Sequence, residues 1–176
     1  MLMLHIGCGD VHLEGWVNID LDSPKADLLH DMRQPLPFGD GSVDYIYSEH
    51  FIEHLTIDEG LFTLRECYRV LKPAGVVRIA TVDLRYVLFR YFFGWRHQDW
   101  IERYGYAWLK TPAEMVNLVM REWQHKHVYD AEELSRRLRE AGFTRIKRAR
   151  LNRSPYAPLR ARETRKDSRL IVEASK

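Results

Sequence analysis

Short apolar runs and longer stretches at helical spacing alternate along this chain of 176 residues. Leu2–Ile6 reads as a buried strand running into Gly7-Cys8-Gly9, Trp16–Leu21 as a second strand and Ala26–Leu29 as a brief third. The segment RQPLPFGDGS, residues 33–42, is turn chemistry and leads into a fourth strand at Val43–Tyr47. Thr56 with Glu59 three positions on forms a capping box, and Leu61, Leu64, Tyr68 and Leu71 continue it as one helical face that Pro73 and Gly75 end. Val76–Val82 is a fifth strand, interrupted by Arg78. Asp130, with Glu133 at the N3 position, opens a helix through Leu134, Leu138 and Ala141 that Gly142 stops, and Phe143–Leu151 and Leu170–Ala174 read as a closing strand pair. This order predicts a three-layer α/β/α domain with a mostly parallel sheet and a ligand site at the carboxyl ends of its strands.

One junction resists that pattern. Only a handful of residues separate Gly9 from Trp16, where a parallel crossover takes about a dozen and usually a helix. About seven near-extended residues reach roughly 20 Å, enough to return along a short strand. The fold is therefore expected to be shortened at the N-terminus, with one sheet face uncovered unless a neighbouring segment or a second subunit fills it.

The length suits a single domain over residues 1–176, and no run is long and apolar enough for a membrane span. Two cysteines, Cys8 and Cys67, make no disulfide framework and suit a reducing interior, so a cytoplasmic location is expected. Charge is unevenly placed. Residues 1–60 carry 2 Lys and Arg against 12 Asp and Glu, residues 131–176 carry 14 against 6, and the net is only +2. Two differently decorated solvated faces account for this; the alternative is a first third suited to a cation and a last third suited to an anion.

Five segments in order, HIGCG, the acidic end of VNID, HDMRQPLPFGDGSVDYIYSEHFIEHL, LRECYRVLKPAGVVRIATVDL and VYDAEELSRRLREAGF, resemble a class I S-adenosylmethionine (SAM)-dependent methyltransferase of the type 11 kind, in a compact subgroup with GW-x-N-x-D after the glycine loop. The resemblance implies a Rossmann-like, seven-stranded, mostly parallel sheet whose last strand is antiparallel. It also implies SAM as cofactor and S-adenosylhomocysteine as product. By position, Gly7, Cys8 and Gly9 would approach the amino acid moiety, Asp20 would hold the ribose hydroxyls with Leu21 beside it, Asp31 would accept from the adenine amino group with Met32 at the ring, and Ser48 and Glu49 would lie near the reactive methyl. A dinucleotide loop fits poorly, because the third glycine of G-x-G-x-x-G is His12 and Asp20 comes too early.

The resemblance also narrows the acceptor. SEHFIEH stands where base N-methylating enzymes carry [DN]-P-P-[YF], and neither cysteine is placed for covalent pyrimidine chemistry, which leaves an oxygen or, second, a carbon. His50, Glu53, His54 and His127 are the candidate catalytic residues, with His50 or His127 as a metal-free general base. Relatives that bind a metal read Glu-x-x-Glu-His with a later His-Lys; here His50 replaces the first Glu, while Glu53, His54 and His125-Lys126 match, an alternative set for Zn²⁺ or Mn²⁺.

Residues 84–126 form an aromatic-rich helical insertion. Ten of the chain's 21 Phe, Trp and Tyr residues fall in positions 84–110, and Thr111-Pro-Ala-Glu114 starts a helix toward Trp123. The insertion reads as its own core, a cap over the acceptor, or a dimer contact. The basic stretch 145–169 reads as an edge hairpin with an arginine-rich connector able to meet an anionic acceptor. Three functions remain open: methyl transfer to a small or glycan-like hydroxyl, methylation of nucleic acid through the basic hairpin, and a docking module without activity.

Overall fold

The computed structural model describes residues 1–176. Its strands are β1 (Met3–Ile6), β2 (Val17–Asp20), β3 (Leu28–Leu29), β4 (Val43–Glu49), β5 (Leu71–Thr81), β6 (Arg145–Arg148) and β7 (Leu170–Ser175). They form one sheet in the order β3-β2-β1-β4-β5-β7-β6, in which β7 runs antiparallel to both β5 and β6 and every other pairing is parallel. The sequence order reverses between β1 and β4, where Ile6 pairs with Ser48, and this opens a crevice at their carboxyl ends.

Alternation along each strand sorts the two faces. Leu4, Ile6, Ile46, Val77 and Ile79 join the main core beneath α1 (Ile57–Val70) and α5 (Ala131–Glu140), together with Leu64, Leu134 and Leu138. Thr56 and Glu59 close both bonds of the capping box on α1. The helix ends at Val70, earlier than its apolar period suggests, because Leu71 already pairs with Val43. Residues 72–75 then bulge, with Ala74 in the left-handed region, before the main ladder resumes at Val76.

The opposite face carries Trp16, Tyr47 and Val76, and the chain covers it with its own C-terminal connector. Leu159, fully buried in the 3₁₀ turn Ala157–Leu159, plugs this cluster, and Arg162 lies 5.6 Å over the Trp16 ring. Connector and sheet are tied through Arg78, whose fully buried guanidinium donates to Glu163 at 2.5 Å, to Glu173 at 2.6 Å and to the carbonyls of Arg153 and Arg150. The expected edge hairpin is thus short, β6 ending at Arg148 rather than Leu151, and its connector is a wall of the domain.

Asn18 makes the short β1–β2 junction possible. Its buried amide donates to the carbonyls of Leu13 and Trp16 and to Asp27, while its oxygen accepts from the Leu13 amide and lies 3.0 Å from His5 Nδ1. These bonds satisfy loop groups that a crossover helix would pair internally.

The insertion folds as α2 (Leu84–Phe92), α3 (Asp99–Arg103), α4 (Pro112–Asn117) and a π turn (Leu118–Glu122) around a separate core of Val82, Val87, Trp100, Ile101, Leu109 and Met115. No helix is long and apolar enough to cross a membrane.

Candidate active site

The glycine loop leaves β1 through two left-handed residues, Gly7 and Gly9. Gly7 permits no side chain, since a Cβ there would stand 2.5 Å from the Phe51 ring, whereas nothing lies within 4 Å of the same position on Gly9. Cys8 between them is buried, and burial pushes its thiol up. Asp20, at the end of β2, accepts from the Gly9 amide at 2.8 Å and so fixes the loop that it faces. Leu21 beside it is 59% exposed and offers an apolar surface at the strand end.

Asp31 follows β3. Both its oxygens are gripped by Arg33, at 2.7 to 3.0 Å, which holds its carboxyl at about 2. An adenine amino group would therefore share Asp31 with Arg33. Met32, expected at the ring, is packed in the main core, where its carbonyl accepts from Thr63. Ser48, next to last in β4, has a buried hydroxyl without a partner, an orphaned polar group that a ligand would satisfy. The open space at Gly9, the Asp20 carboxylate, the bare Leu21 and the unpaired Ser48 hydroxyl suit a cofactor that presents an amino acid, a ribose and a flat base.

Glu49 is committed elsewhere. Thr164 donates to Oε2 from its amide (2.9 Å) and hydroxyl (2.7 Å), while the Arg165 amide (3.2 Å) and Ser168 hydroxyl (2.7 Å) donate to Oε1. Burial works to raise this carboxyl, but these donors outweigh it and keep it below the usual range. The next residue, His50, takes a left-handed φ of 50°, uncommon strain for a non-glycine residue. Its Nδ1 lies 3.0 Å from Glu53 Oε1 and its Nε2 3.0 Å from Ser168 Oγ. Glu53 is wholly buried, and although burial opposes ionisation, His50 holds it well below the ordinary carboxylate value. A chain Glu53–His50–Ser168–Glu49 therefore bolts the connector over β4, and neither nitrogen of His50 is offered to a substrate.

Beside this bolt opens a cleft of about 490 Å³ lined by His50, His54, Tyr104, Tyr106, Trp123, His125, Arg165 and Asp167. Tyr106 and Trp123 join through the indole N–H, at 2.9 Å, and the His54 and His125 rings meet edge to face at 4.9 Å. The Glu53 carbonyl accepts from the amides of Lys126 and His127 and so brings the 125–127 segment to the mouth of β4. His127 is not brought to the cleft. Its ring meets Tyr129 edge to face at 4.6 Å and lies 3.8 Å from Glu133. Of the alternative metal set, His50 and Glu53 bond to each other, and no three His, Cys, Asp or Glu side chains of the chain are arranged to hold a metal ion.

His125 lines the cleft with its Nδ1 buried and without a partner, and burial pushes the ring down to about 4. The folded protein thus disfavours the imidazolium that the unfolded chain, near 6.5, accepts. Its contribution to stability is complete above pH 6.5 and is lost as pH falls through about 4. Replacing His125 with phenylalanine should flatten the denaturant-measured stability profile across that window, and an unchanged slope would show that the ring is not desolvated.

Asp20→Ala tests the loop. It removes an ionised acceptor from the Gly9 amide and from any ligand hydroxyl, and should weaken S-adenosylhomocysteine binding by about 1.5–3 kcal/mol. Titration calorimetry on Asp20→Ala and on Asp20→Asn, which keeps one oxygen, would read it; equal affinity in all three proteins would mean that the site is assigned to the wrong residues.

Comparison with known proteins agrees with this layout. Residues 4–79 match the sequence family described as a methyltransferase domain. A probable S-adenosylmethionine-dependent methyltransferase of Mycolicibacterium smegmatis is 41% identical over 58 residues, 33% of this chain and 22% of that protein. A demethylmenaquinone methyltransferase of Staphylococcus aureus is 28% identical over 124 residues, 68% of this chain and 48% of that protein. The chain thus spans less than half the length of either curated relative. Among solved structures, a SAM-dependent methyltransferase from Archaeoglobus fulgidus shares the fold with a TM-score of 0.62 at 17% identity, over 99% of this chain and 85% of that one. Residues 4–79, which run from β1 into β5, are thus similar to a methyltransferase domain, and the chain shares the fold of a solved SAM-dependent methyltransferase.

Proposed function

We propose that this chain transfers a methyl group from SAM to a hydroxyl on a small or glycan-like ring. The observation that carries this reading is the aromatic cleft, which adjoins the carboxyl end of β4 and is walled by Tyr104, Tyr106 and Trp123. Such walls suit the faces of a sugar or an aromatic ring, and Arg165 at the rim suits an anionic group on it. Bound at the glycine loop, SAM supplies an already activated methyl on a sulfonium. Gly7, Cys8 and Gly9 would approach its amino acid end, Asp20 its ribose, Leu21 and Asp31 its base, and Ser48 the region of the methyl. The protein's own task is then alignment and removal of one proton.

The base is His54. His50 has both nitrogens engaged, His127 faces away, and His125, held near 4, is a weak base whose ring braces that of His54. His54 lines the cleft and has no hydrogen-bond partner on its ring. It would hold the acceptor hydroxyl by its proton and take that proton as the oxygen becomes acidic.

Two of the connector's arginines serve the domain, Arg162 against Trp16 and Arg160 on the Ser154 carbonyl, which counts against a nucleic-acid acceptor. Two buried free thiols suit the reducing cytoplasm. Calorimetric titration with S-adenosylhomocysteine, followed by turnover assays with hydroxylated sugars and phenols, tests the proposal. Micromolar binding with turnover of one such class is expected; binding with turnover only of RNA or of a carbon acceptor would overturn the acceptor, and no binding would overturn the whole reading.

A further inference from the structure

The solvent side of α2 is apolar where a surface helix is usually polar. Val87 is its one buried residue, whereas Leu88, Phe89, Phe92 and Phe93 are 47, 54, 71 and 62% exposed. Positions 85, 88, 89 and 92 follow the i, i+3, i+4, i+7 spacing of a single stripe. The Phe89 and Phe93 rings lie 5.2 Å apart and those of Tyr91 and Phe92 5.0 Å apart, so the patch is continuous. Arg85, Arg90 and Arg96 flank it, no Asp or Glu occurs from residue 84 to residue 98, and none of the three arginines pairs with a carboxylate. Arg96 instead lies 4.5 Å over Trp95, and Arg90 and Arg169 approach the Tyr86 ring.

We propose that this stripe docks the protein peripherally on a bilayer surface of anionic lipid. An apolar stripe bordered by arginines that no carboxylate neutralises, and by interfacial aromatics, is what such a surface binds, with the rings at the acyl boundary and the exposed Arg85 guanidinium among phosphates. A second copy of the chain fits less well, since a two-fold contact through the stripe brings the unpaired arginines of both copies together. Single-stranded RNA fits less well too, because the rings pack on one another instead of standing apart as stacking platforms. The acidic groups beside Tyr86 are Asp83, which caps α2 and pairs with Arg148, Asp99 at the start of α3, and Asp167, and all three lie outside the stripe.

Co-sedimentation with vesicles tests the inference on the full chain. Phosphatidylcholine–phosphatidylglycerol vesicles should bind it and pure phosphatidylcholine vesicles should not, with binding falling as salt rises. Phe92→Ser should weaken binding by about tenfold or more. Arg85→Gln should weaken it by about fivefold. Neither touches the cleft, so affinity for S-adenosylhomocysteine and melting temperature should hold. The inference is overturned if anionic vesicles leave the protein in solution, if Phe92→Ser instead dissolves a self-associated dimer, or if the patch retains RNA and not lipid.

Discussion

His54→Gln should lower kcat by about 10² to 10⁴ with whichever hydroxylated acceptor the cleft turns over, the usual contribution of a positioned base. The substitution keeps the size and polarity of the side chain but removes its basic nitrogen. His54 lines the aromatic cleft against His125, and neither Gly7, Gly9 nor Asp20 lines that cleft, so affinity for S-adenosylhomocysteine should not change. A rise in KM with kcat intact would mean that the ring only holds the acceptor. The pH profile separates the cases further: proton removal by His54 predicts an acidic limb of kcat that is absent from the His54→Gln variant. A limb that survives would belong to another group and would remove His54 from the role.

Arg78→Met should cost about 3–5 kcal/mol of stability, the penalty for breaking a buried ion pair from one side. Methionine fills much of the volume, but Glu163 and Glu173 would then face each other across β5 and the connector with no positive charge between them. Glu163 also accepts from the Asn152 amide, so the connector's first turn would loosen with it. For a domain of this size each kcal/mol lowers the melting temperature by about 2–4 °C. Changing Glu163 and Glu173 to glutamine in the same protein should recover part of the loss, because no uncompensated charge is left buried. A loss below about 1 kcal/mol in Arg78→Met would show that the guanidinium is solvated and the network weak.

The two substitutions probe features that differed in how legible they were. The glycine loop, Asp20, the capping boxes at Thr56 and Thr111 and the alternation in β4 and β5 are local matters. Their chemistry operates over a few residues, so spacing alone reveals them, and the strand order follows once the family likeness is admitted. The crossover without a helix was visible as a problem, and its cover was foreseen only as some segment or subunit. Arg78 was visible as a polar interruption in an apolar strand, but its partner Glu163 lies 85 positions away.

Glu49, His50 and His127 mark where local reasoning stopped. Each stands near strand four or its neighbouring segment in a pattern that suggests chemistry, and nothing in the pattern says which atoms are already bonded. Ser168, more than a hundred residues later, takes up one nitrogen of His50 and one oxygen of Glu49. Tyr129 and Glu133 draw His127 out of the cleft. By itself the sequence determined the strands, the caps, the glycine loop and the acidic residue that faces it, because backbone geometry and hydrogen-bond spacing are properties of neighbours. Only the tertiary structure decided which histidines line the cleft, what covers the open face and where the aromatic insertion sits, because those outcomes depend on contacts between residues that the chain itself keeps far apart.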